Sequence, residues 1–353
     1  MWGPHRARFV SYPLEVPKIT TRTATKAVEC ELALIRLIRQ RAPAVSRGEV
    51  RLGIGDDCAL LRPRRGEEFA VTTDLSIAGR HFHLQTHPPE SIGHRAIARG
   101  LSDLAAMGAR PVAAFVSLAV PRRLAGEWTR RFYDGLLESA SAHKITLAGG
   151  DLSEAPIPLA DIVLVGSVPA GKALLRSGAR PGEMLYVTGT LGGSAVGLAR
   201  LEEMAEPERR VATRRRDSKS LVALTLHLYP QPRIAQGLWL RARGKATAAI
   251  DLSDGLSTDL THLCEESGVS AEIEAELLPI HPGATLEQAL NGGEDYELLF
   301  TAPESARVPR AIAGVPVTRI GRILRRSGRR PTITLKTAAG SRPLQPAGWQ
   351  HFA

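Results

Sequence analysis

Apolar positions along the chain return at two spacings. Over residues 91–107, Ile92, Ala96, Ile97, Leu101, Leu104 and Ala105 recur at three- and four-residue intervals, which predicts a helix stopped by Gly108 and Pro111. Leu124, Trp128, Phe132, Leu136 and Ala140 recur every fourth residue and predict a second helix, and CELALIRLIRQ from Cys30 predicts another. Short apolar runs predict strands at RLGIGDD, which opens into a loop, and at 69–74, 145–151, 161–169 and 185–187. A glycine-rich turn then enters a helix. Further on, a strand ends at Ile250, a helix carries Leu256, Leu260 and Leu263 up to Gly268, and an apolar strand follows NGGED. Helices and strands alternate, so the fold class is α/β (α+β). The loss of apolar character after Pro169 places a boundary between units 30–168 and 169–353, with a loose arm at 1–29. Residues 202–220 are charged and irregular and read as a mobile segment.

Composition narrows the function. A chain of 353 residues with 43% hydrophobic content fills a sizeable core. The odd set Cys30, Cys58 and Cys264 forms no CxxC pair and indicates neither a disulfide framework nor a thiolate metal site, which suits a reducing, cytoplasmic setting. No apolar run approaches the ~20 residues that span a bilayer. The net charge of +10 sits in arginine clusters at 209–216 and 322–330, and aromatics are only 5%. Stacking platforms for bases are therefore not indicated; the clusters read as solvated loops.

A GxxxxGK match at 166–172 is followed by Ala173 where a phosphate loop needs a hydroxyl, and Pro169 interrupts it. The stronger pattern is acidic. Asp56 and Asp57, Asp74, Asp103, Asp151, Asp251 with Asp254, and Glu294 with Asp295 each lie in or beside an apolar segment rich in Gly, Ser or Thr. Singly, each has a structural reading: Asp254 could cap a helix starting at Gly255, Asp103 could pair with Arg99 one turn earlier, and Asp295 could face solvent. His81, His83 and His87 read as a polar loop. Together, carboxylates at strand ends would repel unless cations neutralised them, and hard oxygen ligands suit Mg²⁺ bridging to phosphates. That implies phosphoryl or nucleotidyl transfer.

In this order, GIGDDCALL, TTDLSIAGRHF, GLSDLAAMGARP, LAGGD, LLRSGARPG, VTGTLGGSAVGLA, YPQPR, AIDLSDGLSTDL and NGGEDYELLF resemble the thiamine-monophosphate kinase family of the aminoimidazole-ribonucleotide-synthetase-like (PurM-like) superfamily, over roughly residues 30–352. The resemblance implies a two-domain α/β fold and a homodimer built through the N-terminal domain, with no nucleic-acid or membrane partner. It also implies transfer of the ATP γ-phosphoryl group to thiamine monophosphate with Mg²⁺. By motif, it assigns the metals to Asp57, Thr72, Thr73, Asp74, Asp103, Asp151, Asp251 and Asp254. It assigns ATP contacts to Gly150, Asp151, Arg176 and Ser253, catalysis to Asp57, Asp74 and Asp151, and the thiamine side to His81, Glu294 and Trp349. Gly100 stands where the family often has Asn, and Leu152 and Ser153 follow GGD in place of Thr-Thr. No reactive Cys in a glycine-rich N-terminal segment points to a selenophosphate synthetase. The combination of GIGDD, AIDLSDG and GGEDYEL argues against an aminoimidazole-ribonucleotide synthetase or a hydrogenase-maturation dehydratase. A basic polyanion-binding protein is the rival from another class, distinguished by steeply salt-dependent binding without ATP turnover.

Overall fold

The structure is a computed structural model that describes residues 29–42, 48–205 and 218–350. The arm at 1–28, most of the 202–220 segment with its arginine cluster, and the last three residues lie outside the described residues. In chain order the elements are α1 (Glu31–Arg41), β1 (Val50–Leu52), β2 (Leu60–Leu61), β3 (Glu67–Ile77), α2 (Pro89–Ala106), β4 (Arg110–Val120), α3 (Glu127–Ala142), β5 (Thr146–Glu154), β6 (Leu159–Pro169), β7 (Met184–Thr188) and α4 (Gly193–Ala205). They continue with α5 (Ser218–Leu228), α6 (Ile234–Ala242), β8 (Ala248–Asp251), α7 (Leu256–Ser267), β9 (Val269–Glu274), α8 (Leu286–Asn291), β10 (Leu298–Ala302), β11 (Ala311–Ile312), β12 (Val315–Arg325), β13 (Ile333–Thr337) and β14 (Gly340–Pro343).

Two sheets organise the chain. The first has the order β3-β6-β4-β5, antiparallel except for the β4–β5 pair; the second runs β14-β13-β9-β12-β7-β10-β8, with β11 on β12. β6 ends at Pro169 in a turn with no helix behind it, so the GxxxxGK match is a strand exit. Glu202–Ala205 continue α4, which corrects the irregular reading of that stretch. Of the arginines at 322–330, Arg326, Arg329 and Arg330 are exposed in a loop, whereas Arg322 and Arg325 belong to strand β12, where Arg322 pairs with Glu272 at 3.0 Å, which corrects the loop reading for those two.

The helix expected to present one apolar face, α2, is instead buried nearly all round, Arg95 included. The reason is its position: its core cluster takes Ile162 and Leu164 from the first sheet together with Ala249, Leu298 and Phe300 from the second. Glycines allow this crowding. A Cβ on Gly100 would stand 3.0 Å from the Leu164 side chain and 3.4 Å from Thr72 Cγ2, so the small residue lets α2 lie flat against β3 and β6. A second cluster around Leu185, Ile250, Leu260 and Leu299 fills the space between the second sheet and α7.

Candidate active site

One cleft of about 690 Å³ opens where α2, β3 and the end of β8 meet α4, α5 and the C-terminal tail. It gathers Thr73, Asp74, His81, Asp103, Asp251, Ser253, Asp254, Glu294 and Trp349 from far-separated parts of the chain. Thr72 lies just behind the wall, donating its hydroxyl to Asp103 Oδ2 at 2.5 Å. Arg176 sits close enough that its charge acts on both Asp103 and Asp251.

Asp57, Gly150 and Asp151 do not line this cleft. Asp57 is exposed in its loop, where its N–H donates to Asp56 Oδ1 at 2.9 Å. Asp151 is on the edge strand β5, in register with Ser117, which faces Asp161, which faces Leu75. That row belongs to the face of the sheet turned away from α2, whereas the Asp74 carboxylate reaches Arg99 on α2. Gly150 has φ +154° and packs against the β4 backbone, where a Cβ would meet Val116 O at 2.1 Å.

Local geometry explains several placements that residue spacing misread. Asp103 does not pair with Arg99; Arg99 Nη2 instead binds Asp74 Oδ1 at 2.7 Å, because β3 offers a carboxylate closer than the helix's own next turn. Asp254 does not cap α7. Gly255 holds the cap position, and Asp259, from inside the helix, accepts the backbone N–H groups of Ser253, Asp254 and Gly255, each at 3.1 Å. That single carboxylate fixes the loop that presents Ser253 and Asp254 to the cleft. Asp295 is not solvent-facing: it accepts N–H groups from Gly192 and Ser194 at 2.7 and 3.2 Å and anchors the start of α4. His87 is buried rather than part of an open polar loop. Arg95, which sequence reading passed over, is a buried cation on Glu294 at 2.5 Å. Its place on a helix of strong apolar periodicity was the one available signal.

The electrostatics follow from burial. Burial raises Asp74 to about 6, against the opposing pull of Arg99, and Asp251 to about 7, with Asp103 adding to the rise. Asp103 is raised as well. Asp259 rises to about 8 and Asp295 to about 7, again through burial first. Glu294 goes the other way: burial is the largest single influence and would raise it, but the charge and hydrogen bond of Arg95, with smaller contributions from His227 and Arg99, together hold it down to about 2, an ionised carboxylate at the cleft wall. No three carboxylate, imidazole or thiol groups among the described residues form a closed cage. Magnesium does not need one, since it keeps waters and bridges from one or two carboxylates to phosphates. Hard oxygens carrying disfavoured negative charge fit such an ion.

These shifts predict a stability profile. Above about pH 7 histidines are neutral in both states, while Asp251, Asp259 and Asp295 still hold protons that the unfolded chain lost near pH 4. The folded state then binds more protons, so stability falls as pH rises. A thermal melt should drop by a few degrees between about pH 7 and 8.5, and saturating Mg²⁺ should reverse the drop. A flat or rising profile without metal would contradict the assignment.

The chain matches the family models described as AIR synthase related protein, N-terminal domain, over residues 55–168 and C-terminal domain over residues 180–333. It is 42% identical over 290 residues to the thiamine-monophosphate kinase of Escherichia coli K12, covering 79% of this chain and 86% of the relative. The crystal structure of thiamine-monophosphate kinase from Stenotrophomonas maltophilia K279a matches with a TM-score of 0.72 at 38% identity, covering 86% of this chain and 96% of that one. A structure named AaThiL complexed with AMPPCP and TMP matches with a TM-score of 0.71 at 32% identity over 91% of this chain and 97% of that one. With its two-sheet fold and its acidic cleft, the chain belongs to the thiamine-monophosphate kinase family, within the AIR-synthase-related proteins.

Proposed function

We propose that the chain phosphorylates thiamine monophosphate to thiamine diphosphate, using ATP and Mg²⁺, in the cytoplasm and as a homodimer. The observation that carries this reading is a single cleft in which Asp74, Asp103, Asp251 and Asp254 stand beside an ionised Glu294 and the half-exposed ring of Trp349. The acids suit cation-bridged phosphates; the carboxylate and the indole suit a cationic heteroaromatic ring. The AMPPCP and TMP bound by the related structure are an ATP-like and a phosphate ligand of the same pairing.

In the reaction a terminal phosphate oxygen of thiamine monophosphate attacks the γ-phosphorus of ATP. The bond to the β–γ bridging oxygen breaks, and its electron pair leaves with ADP. The attacking oxygen is already anionic, so positioning and charge neutralisation do most of the work. Mg²⁺ held through Asp74, Asp103, Asp251 and Asp254, with Thr72 and Thr73, would neutralise phosphate charge. Arg176 and Ser253 take the nucleotide, and His81, Glu294 and Trp349 take the thiamine portion. Asp57, Gly150 and Asp151 lie off the cleft of their own chain and would reach metal and nucleotide only across the pairing of two chains. The reading divides the chain into an arm at 1–29 and domains at 30–168 and 169–353.

The dimer reading rests on the outer face of the first sheet, where Val71 and Leu75, on either side of Thr73, are 61% and 42% exposed. Exposed large apolar side chains of this kind invite a second copy, and the same face carries Asp151 in the Leu75 row. Light scattering that returned the mass of one chain would refute the pairing.

The testing experiment incubates the chain with Mg²⁺, ATP and either thiamine monophosphate or free thiamine. Thiamine diphosphate and ADP are expected from the monophosphate alone. ATP binding without any product from it would overturn the assignment.

A further inference from the structure

Behind Glu294 a chain of buried polar groups runs from the loop after His81 to the first turn of α4. The backbone N–H of His83 donates to His87 Nδ1 at 3.3 Å, and the Thr86 hydroxyl lies 2.9 Å from the same nitrogen. His87 Nε2 faces His227 Nε2 at 3.3 Å, and His227 Nδ1 lies 2.9 Å from Ser194 Oγ. Burial, reinforced by the charge of Arg95, lowers both histidines, His87 to about 4 and His227 to about 3, so both rings are neutral at pH 7.

A neutral imidazole carries one proton, and this settles every direction in the chain. His87 Nδ1 accepts from a backbone amide, so the His87 proton is on Nε2. That proton points at His227 Nε2, which must accept, so the His227 proton is on Nδ1; this nitrogen lies 2.9 Å from Ser194 Oγ and 3.7 Å from Glu294 Oε2, and it donates to the hydroxyl, the one within hydrogen-bond distance. The Ser194 oxygen is thereby used as an acceptor and retains its own O–H to give away. No acceptor for that proton is found among the described residues. Ser194 lines the main cleft and also a smaller cavity of about 230 Å³ on the other side of the Glu294 segment. Glu294, locked as a carboxylate by Arg95, lines both as well.

From this juxtaposition we propose that Ser194 is a specificity-determining residue. Its hydroxyl, oriented as a donor by the His87–His227 relay, pairs with the Glu294 carboxylate to read the aminopyrimidine edge of the substrate. The carboxylate accepts the exocyclic amino N–H while Ser194 donates to the adjacent ring nitrogen. His87 and His227 act through Ser194 and are positioning residues. The proposal rests on the thiamine monophosphate reading above and adds to it the atoms that distinguish this ring from one with the reverse donor pattern.

The test uses calorimetry on the full chain with thiamine monophosphate and oxythiamine monophosphate, whose ring nitrogen carries a proton next to a carbonyl. The wild-type chain is expected to prefer the amino compound. Ser194→Ala should weaken thiamine monophosphate binding about tenfold, leave ATP binding unchanged and shrink the preference by a similar factor. His227→Phe, which keeps the bulk and removes the donor, should do the same. Unaltered discrimination in Ser194→Ala overturns the role of the hydroxyl, and unaltered discrimination in His227→Phe overturns the relay. Imidazole ¹⁵N shifts of the ligand-free chain supply an independent arm: His227 is expected as the Nδ1–H tautomer, and finding Nε2–H overturns the relay whatever the substrate. A wild-type chain that binds ATP but neither thiamine compound sinks the substrate reading, and the edge-reading role with it, even where the tautomers are as expected.

Discussion

Asp251→Asn is expected to reduce thiamine diphosphate formation by about a thousandfold or more while the chain folds as well as before. Asp251 ends β8 at 3% exposure, with Asp103 close enough to push it up to about 7 together with burial. Removing one metal-binding carboxylate from a phosphoryl-transfer site forfeits several kcal/mol of charge stabilisation, and ~4 kcal/mol is a factor of about a thousand. Asparagine has nearly the same shape and no charge to desolvate. Without metal, therefore, the melting midpoint at pH 8 should stay level or rise, and the Asp251 share of its fall with pH should disappear while the shares of Asp259 and Asp295 remain. Activity within tenfold of wild type would remove Asp251 from the reacting centre. A folding defect would instead mean that its charge is needed for structure, contrary to its raised pKa.

Gly135→Ala is expected to lower stability by about 3 kcal/mol and to impair activity from a distance. α2 and α3 touch backbone to backbone: a Cβ on Gly135 would stand 1.9 Å from Glu90 O, and one on Gly93 would stand 1.9 Å from Phe132 O. No side-chain rotation relieves a clash with a carbonyl, so the helices must separate, at an overpacking cost of roughly 1–3 kcal/mol or more. α2 carries Arg95, Arg99 and Asp103, so its displacement pulls apart the Arg99–Asp74 pair and the Thr72–Asp103 hydrogen bond. A thermal melt should show a loss of several degrees, with turnover falling more than nucleotide binding. A midpoint within about a degree of wild type would show that the helix pair tolerates a wider spacing.

Much of the fold was legible where one period dominated. The α2 and α3 patterns and the Gly268 stop match the structure, the last because φ +67° favours glycine, whereas the strand expected to end at Asp74 runs on to Ile77. β4 was not read. Pro111, a stop signal for the helix before it, is the second residue of a strand whose run PVAAFVSLAV is apolar apart from Ser117 because the strand lies inside the sheet with neighbours on both sides. Strands β9, β12 and β13 were passed over in the same way, since their partners lie far away in sequence.

By itself, the sequence determined the class of fold, the family and the set of chemical groups, acids among small residues in the order of the family's motifs; of the acids expected at strand ends, Asp251 ends β8, whereas Asp74 and Asp151 lie inside β3 and β5 and Asp103 on α2. The tertiary structure alone decided who meets whom. Spacing offers Arg99 the carboxylate on its own helix, but the packing of α2 on β3 offers Asp74. Spacing offers the cap of α7 to Asp254, but the loop geometry gives three N–H groups to Asp259. The relay from His87 to Ser194 joins positions more than a hundred residues apart and has no trace in any local period. The physical reason is the same throughout: period and propensity act over a few residues, whereas charge and hydrogen-bond partners are chosen by distance in space, which is set by the burial of α2 between two sheets.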